Sequence, residues 1–349
     1  MNKKSTIAIL LAAILWTGIA GCSSADSEKE PGLAFRLSLE LNQQTRLWDA
    51  SHFFRTELMK ASPEHGIEEG EIRVEFYDSG KIGTERQLLE ANYFGVVEVI
   101  QINSSVLTTV APAFSILDLP FVFYNNDHLK ATLYGDIGRQ MMDRLEPHGL
   151  YGLSFYSGGF RNMFYRRQGE QCAETPEDLE GLRLRVMESP VMISAMNAMG
   201  PRATPIPHSE VYQSIRTGVI DGAENSPAIV ASYRYHETGV NCLTISEHFT
   251  NQHIMVANKK WLDSLEPKYR DRILQVAEEI VPAFNQAWDT SMDEAYLTLE
   301  QQGITVNEVP DKQPFFDRTS AIAESFLSSN PNVPRELYQQ IQALGEQHR

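Results

Sequence analysis

From Pro267 to Gln302 a stripe of apolar and small residues repeats at three- and four-residue steps: Ile273, Ala277, Ile280, Phe284, Ala287, Ser291, Ala295 and Leu299. That period marks one face of an α-helix. At a rise of about 1.5 Å per residue the segment reaches about 54 Å, more than the width of one small domain. The chain has 349 residues, enough for about two domains. The helix is therefore expected to run along both. Pro282 sits near its middle, where it either kinks one long helix or divides the stretch into two.

The opening half alternates between two other patterns. Phe35 to Leu41 and Ile72 to Tyr77 read as strands, with every second side chain apolar. Trp48 to Lys60 and Glu85 to Asn92 have helical spacing, and Val96 to Ile102 is a mostly apolar third strand. The order β-α-β-α-β predicts a sheet covered by helices. A further strand is expected at Tyr151 to Tyr156, followed by Gly158-Gly159, where the chain can change direction. Thr175 to Leu179 reads as a capped helix start, Leu182 to Met187 as a strand, and Val191 to Met199 as a helix.

The first 22 residues stand apart from this pattern. Lys3 and Lys4 precede an apolar run from Ile7 to Trp16, which closes on Ile19-Ala20-Gly21-Cys22. The run is too short for a membrane span and has the layout of a secretory leader. The small pair before Cys22 matches a bacterial lipoprotein signal, in which the cysteine receives the lipid. The alternative is an ordinary leader with an incidental cysteine. Residues 23–32 are polar and without periodicity, as a tether is. The expected location is outside the cytoplasm, held to the bilayer by the lipid. Such a compartment permits disulfides, so Cys172 and Cys242 either form one bridge or stay as two buried thiols.

With 30 basic against 46 acidic residues the net charge is −16. That argues against a nucleic-acid partner, whose phosphates require a basic surplus. Signatures of catalysis are missing: there is no His-Glu-x-x-His, no Gly-x-Ser-x-Gly, no phosphate-cradling glycine loop and no dinucleotide fingerprint. His248 and His253 are five apart, a poor spacing for two metal ligands on one helix face, and they read as surface or core histidines. Asp221 to Asn225 lacks the spaced acidic series of a calcium loop. No enzyme activity, cofactor or metal is expected.

The informative stretch is 155–225. Arg161 follows the glycine pair at a strand end, and Arg185 stands near the end of Leu182 to Val186, on the same face as Arg183. An arginine at the carboxyl end of a strand lies where open α/β sheets bind ligands. Its planar fork suits a carboxylate.

Leu182 to Pro190, Pro207-His208-Ser209-Glu210-Val211-Tyr212 and Thr217 to Asn225, with Ser79 to Arg86 and Phe114 to Phe121, together resemble one family. They are similar to the solute-binding proteins of tripartite ATP-independent periplasmic (TRAP) transporters, of the dicarboxylate-binding type. The resemblance covers nearly the whole mature chain. It implies an α/β, two-lobed periplasmic-binding-protein-like fold, with crossing strands and a long helix spanning both lobes. The implied layout is 33–158 with about 251–290 as a first lobe, 159–250 with about 291–330 as a second, and 331–349 as a C-terminal helix. It also implies a receptor that captures a small organic acid for TRAP membrane permease subunits, and the chain is expected to act as a monomer.

In that family the strand arginine, here Arg185, is the most constant ligand contact. The arginine after the glycine corresponds to Arg161, and the asparagine after Asp-Gly-x-Glu corresponds to Asn225. His208 stands where members often have an aromatic residue, and Glu188 where some have a neutral polar one. First-lobe candidates are Glu40, Asn42 and Ser104. A Glu188 carboxylate in the cleft would repel a second carboxylate and accept hydroxyls, favouring a hexuronate or aldonate over a C4-dicarboxylate. The other reading of Glu188 is an ion-pair partner for Arg183 or another nearby cation. A receptor that delivers its ligand and a lipoprotein that senses it remain alternative readings of the same fold.

Overall fold

Alternation decides the first strand: in β1 (Leu33–Leu39) Phe35, Leu37 and Leu39 are buried while Ala34 is exposed. The computed structural model describes residues 31–167, 169 and 171–349. The leader, Cys22 and residues 23–30 of the tether lie outside the described residues.

Nine strands among the described residues form one mixed sheet. After β1 come β2 (Ile72–Tyr77), β3 (Val99–Asn103), β4 (Leu150–Tyr165), β5 (Arg183–Val186), β6 (Arg202–Pro205), β7 (Gly222–Asn225), β8 (Cys242–Asn258) and β9 (Thr305–Glu308). Their spatial order is β2-β1-β3-β8-β4-β7-β5-β6, with β9 beside β8. The connections of β1 to β2 and β3, and of β5 to β6 and β7, are parallel. Between these two parallel groups run β4 and β8, antiparallel to each other.

These two long strands make the fold two-lobed. The start of β4 pairs with the end of β8 beside β3, and the end of β4 pairs with the start of β8 beside β7. Each strand therefore belongs to both halves of the sheet. The register shifts between Ser157 and Phe160, where the expected change of direction at Gly158-Gly159 turns out to be a crossing within one continuous strand. Gly158 is needed there for close approach: a Cβ would lie 2.8 Å from Asn251 Nδ2 and 2.9 Å from the Asn251 carbonyl on β8.

The helices are α1 (Arg46–Leu58), α2 (Glu85–Tyr93), α3 (Asn126–Tyr134), α4 (Asp136–Asp143), α5 (Pro190–Ala198), α6 (Val211–Thr217), α7 (Pro227–Ser232), α8 (Lys259–Asp263), α9 (Pro267–Gln301), α10 (Gln313–Ser329) and α11 (Arg335–Gly345). Local signals fix several starts. Thr45 caps α1 by accepting from Trp48 N, and Thr84 with Gln87 forms a capping box on α2. The segment at Thr175 to Leu179 forms only a 3-10 turn, Glu177–Leu179.

α9 is one helix of 35 residues with Pro282 inside it. It continues through the proline because buried side chains lie on both sides, Ile273, Val276 and Ile280 before it and Phe284, Trp288 and Leu299 after. That face packs on α1 beside the first sheet half, on α7 and β4, and on β9 beside the second. No helix of the described residues is long and apolar enough to cross a membrane.

Cys172 and Cys242 form a disulfide, with Cα atoms 5.8 Å apart. It closes a loop of 70 residues that carries β5, β6 and β7. Replacing both cysteines by serine is expected to lower stability by about 4 kcal/mol, the loop-closure entropy of such a span. Urea unfolding of the parent and the double variant reads this directly; equal midpoints would contradict it.

Candidate functional site

Four side chains that end up together begin on four different strands. Arg161 is on β4, Asn225 ends β7, Asn103 ends β3, and Asn251 lies on β8. Asn251 joins them. Its Oδ1 accepts from Arg161 Nη1 at 3.0 Å and from Asn103 Nδ2 at 2.9 Å, and its Nδ2 donates to Asn225 Oδ1 at 3.2 Å. This network spans both sheet halves at the place where β4 and β8 cross.

Arg161 is nearly wholly buried and is paired with Glu224, which is fully buried on β7. The guanidinium grips the carboxylate through Nε and through Nη2 at 2.9 Å, and Nη2 also donates to the Glu224 carbonyl at 3.0 Å. With Asn251 taking one Nη1 proton, four of its five N–H groups are committed to protein. Arg161 is thus neutralised by its own neighbour.

Arg185 contrasts with it. It is buried at 4% exposure, and Nε donates to the Ile206 carbonyl at 2.8 Å. Its two terminal nitrogens have no hydrogen-bond partner among the described residues. Burial draws its pKa down from the ordinary arginine value, and the Glu224 carboxylate nearby works in the opposite direction. Arg183, on the same strand face, points its charge elsewhere and pairs with Asp221 at 2.8 Å.

Around these arginines lies a small, partly open cavity. Its polar lining is Arg161, Arg185, Asn225, Asn103, Asn251, Glu85, His208 and His253, and its apolar lining is Leu41, Leu47, Met187 and Ile229. Glu85, at the start of α2, accepts from Asn103 N at 2.9 Å. Burial, and then the Glu40 carboxylate, push it up to about 8, so it carries its proton at neutral pH. Burial also keeps both histidines neutral: His253 is pushed down to about 3, and His208 well below its ordinary value. Among the lining groups, Arg185 is the one net cation with a free fork.

Of the residues singled out in the sequence, Arg161, Arg185, Asn225 and His208 meet in this cavity, while four others do not line it. Glu188 sits half-exposed at the rim, 3.6 Å from Arg86 on α2. Pro190 starts α5 two residues later, and the turn into that helix carries the Glu188 side chain outward. It is an ion-pair partner, and its cation is Arg86 and not Arg183. Asn42 caps a local turn by accepting from Gln44 N at 3.1 Å. Ser104 is buried against Gln252, 3.4 Å away. Glu40 braces the site from behind: one carboxylate oxygen accepts from Glu85 N at 3.0 Å and the other from Ser209 N at 2.7 Å. Sequence reading missed Glu85, Asn103, Asn251 and His253. Glu85 lies inside the Ser79 to Arg86 block that carries the resemblance, and that was the available signal.

Residues 55–330 match the model of bacterial extracellular solute-binding protein family 7. The chain belongs to this family. It is 28% identical to a TRAP periplasmic solute-binding protein of Xanthobacter autotrophicus, solved with bound β-D-galacturonate, with a TM-score of 0.80 over 88% of this chain and 99% of that one. A Chromohalobacter salexigens TRAP solute-binding protein solved with D-glucuronate is 27% identical, with a TM-score of 0.81 over 89% and 99%. The C4-dicarboxylate-binding periplasmic protein of Rhodobacter capsulatus is 28% identical over 68% of this chain and 70% of its own length. The protein is a TRAP solute-binding receptor with the α/β fold of those structures.

Glu85 makes a pH-dependent prediction. Its folded pKa of about 8 lies above the ordinary 4.5. The unfolded chain therefore gives up this proton first, and the folded state loses relative stability from about pH 4.5 up to about 8. Glu85→Gln, which cannot ionise, is expected to flatten that decline, measured by urea unfolding at pH 5, 6.5 and 8. Parallel profiles for parent and variant would count against a protonated Glu85.

Proposed function

We propose that this receptor captures a sugar acid with a single carboxylate, of the hexuronate or aldonate kind, and delivers it to TRAP membrane permease subunits. The observation that carries the reading is the charge inventory of the cavity. Arg185 presents one free planar fork, matched to one carboxylate by two parallel charge-assisted hydrogen bonds. Arg161 offers no second fork, because Glu224 holds it. The remaining polar lining is neutral amide, imidazole and carboxylic acid, suited to hydroxyl groups. A second carboxylate would be desolvated there without a cation to pair with. The galacturonate and glucuronate in the two solved relatives support the same class. The preference thus rests on Arg161 and Glu85, where the sequence had placed it on Glu188.

The ligand is cargo and leaves unchanged. We further propose that Cys22 carries the lipid that holds the receptor at the outer face of the membrane, and that the folded part acts as a monomer. Its lobes are 33–158 with about 251–290 and 159–250 with about 291–330. The supports for this division are the two crossings, which fall within β4 and β8 near those boundaries. Lipid labelling of the parent, lost in Cys22→Ser, tests the anchor.

Thermal melting of the protein from residue 23 onward is expected to rise with D-glucuronate, D-galacturonate or D-galactonate and to rise less with succinate. A larger shift with succinate would overturn the monocarboxylate reading. Arg185→Lys keeps the charge but loses the two-bond fork, and calorimetry should show affinity falling roughly 10- to 100-fold. Glu188→Gln should leave the ratio of glucuronate to succinate affinity unchanged, since Glu188 faces Arg86 at the rim.

A further inference from the structure

His208 brings to the cavity a polar atom that the protein itself leaves without a partner. Its Nε2 is buried and makes no hydrogen bond. The ring stands edge-on against Tyr233, with centroids 4.7 Å apart and planes at 87°. The turn that carries it, between β6 and α6, is pinned on both sides. Arg185 Nε holds the Ile206 carbonyl at 2.8 Å, and Glu40 Oε1 holds Ser209 N at 2.7 Å. The first of these bonds comes from the second sheet half and the other reaches across from the first. The backbone on either side of His208 is thus fixed, and a ligand that reaches the ring finds Nε2 without a protein partner.

The chemistry narrows what it meets. Arg185 and Arg161 face the ring along with His253, and with burial they oppose an imidazolium. A neutral imidazole offers one donor and one acceptor nitrogen. It suits a hydroxyl, which can serve as either, and adds no charge for a carboxylate. We infer that His208 is a specificity-determining residue of this receptor, hydrogen-bonding one hydroxyl of the bound sugar acid through Nε2. A phenyl ring in its place would fill the same space without reading that hydroxyl. Because a site built around a hydrogen bond leaves its own group unpaired when the hydroxyl is missing, it rejects the analogue that lacks it.

The inference rests on the sugar-acid reading, and the experiment separates the two. Calorimetry is done with D-glucuronate, D-galacturonate, D-galactonate and their monodeoxy forms on the parent, His208→Phe, His208→Leu and His208→Gln, each first checked by thermal melting. The parent is expected to bind one monodeoxy form at least about tenfold more weakly than the sugar acid it derives from. In the apolar variants that pair should come within about twofold of each other, mostly through weaker binding of the full sugar acid, while His208→Gln retains part of the difference. If the apolar variants weaken every ligand by one common factor, or change none, His208 does not read a hydroxyl and the inference falls alone. If the parent binds none of D-glucuronate, D-galacturonate and D-galactonate, the sugar-acid reading falls and takes this one with it.

Discussion

The buried pair of Arg161 and Glu224 is the interaction on which the rest of the site is organised. Two charges removed from water cost several kcal/mol each unless their geometry and remaining hydrogen bonds compensate. Here they do: the guanidinium grips the carboxylate through two nitrogens, takes the Glu224 carbonyl as well, and spends a further proton on Asn251. The pair joins β4 to β7, and Asn251 extends it to β3. The two sheet halves are therefore tied by one polar network at the point where the long strands cross. That network needs the close approach of β4 to β8, which the absent side chain of Gly158 permits.

Neutralising Arg161 has a consequence for recognition. With that charge satisfied internally, Arg185 is left as the cation with an open fork, and its burial makes a matching anion more valuable than it would be in water. The other ionisable groups of the lining are kept uncharged by the same burial. Glu85 holds its proton, helped by the nearby Glu40 carboxylate, and His208 and His253 stay neutral beside the arginines. The lining thus offers one cationic fork among neutral groups suited to hydroxyls. This contrast arises from desolvation acting in opposite directions on acids and bases, and Glu85, the acidic group of the lining, takes part in it as a neutral acid.

The two halves also touch outside the cavity. Ser209 donates to Glu40, and Arg86 faces Glu188, each contact pairing a residue of the first half with one of the second. The first is part-buried and short, at 2.7 Å; the second is half-exposed and 3.6 Å long, a geometry worth little in water. Glu40 is then the more consequential of the two, since its other oxygen holds the start of α2 and with it Glu85.

Sequence alone determined the local elements and the identities of the groups that carry flanking motifs. Alternation located β1 and β2, helical spacing located α1 and α2, and the apolar stripe located α9 across both halves. Arg185, Asn225 and His208 were legible because each sits in a distinctive run, and Arg161 because a glycine pair precedes it. Tertiary structure decided which of them face one another. Asn103, Asn251 and His253 belong to segments that are about 150 residues apart in sequence and meet only through antiparallel pairing of β3 with β8. Glu188 lies three residues after Arg185, yet the turn into α5 carries it to the rim. Likewise the sequence left Cys172 and Cys242 open between a bridge and two thiols, and the folding of the 171–173 segment against β8 joined them. Periodicity reports which side of its own helix or strand a residue occupies. What stands opposite that side is set by strands paired across the whole chain, and so are the charge state and the role of each group in the cavity.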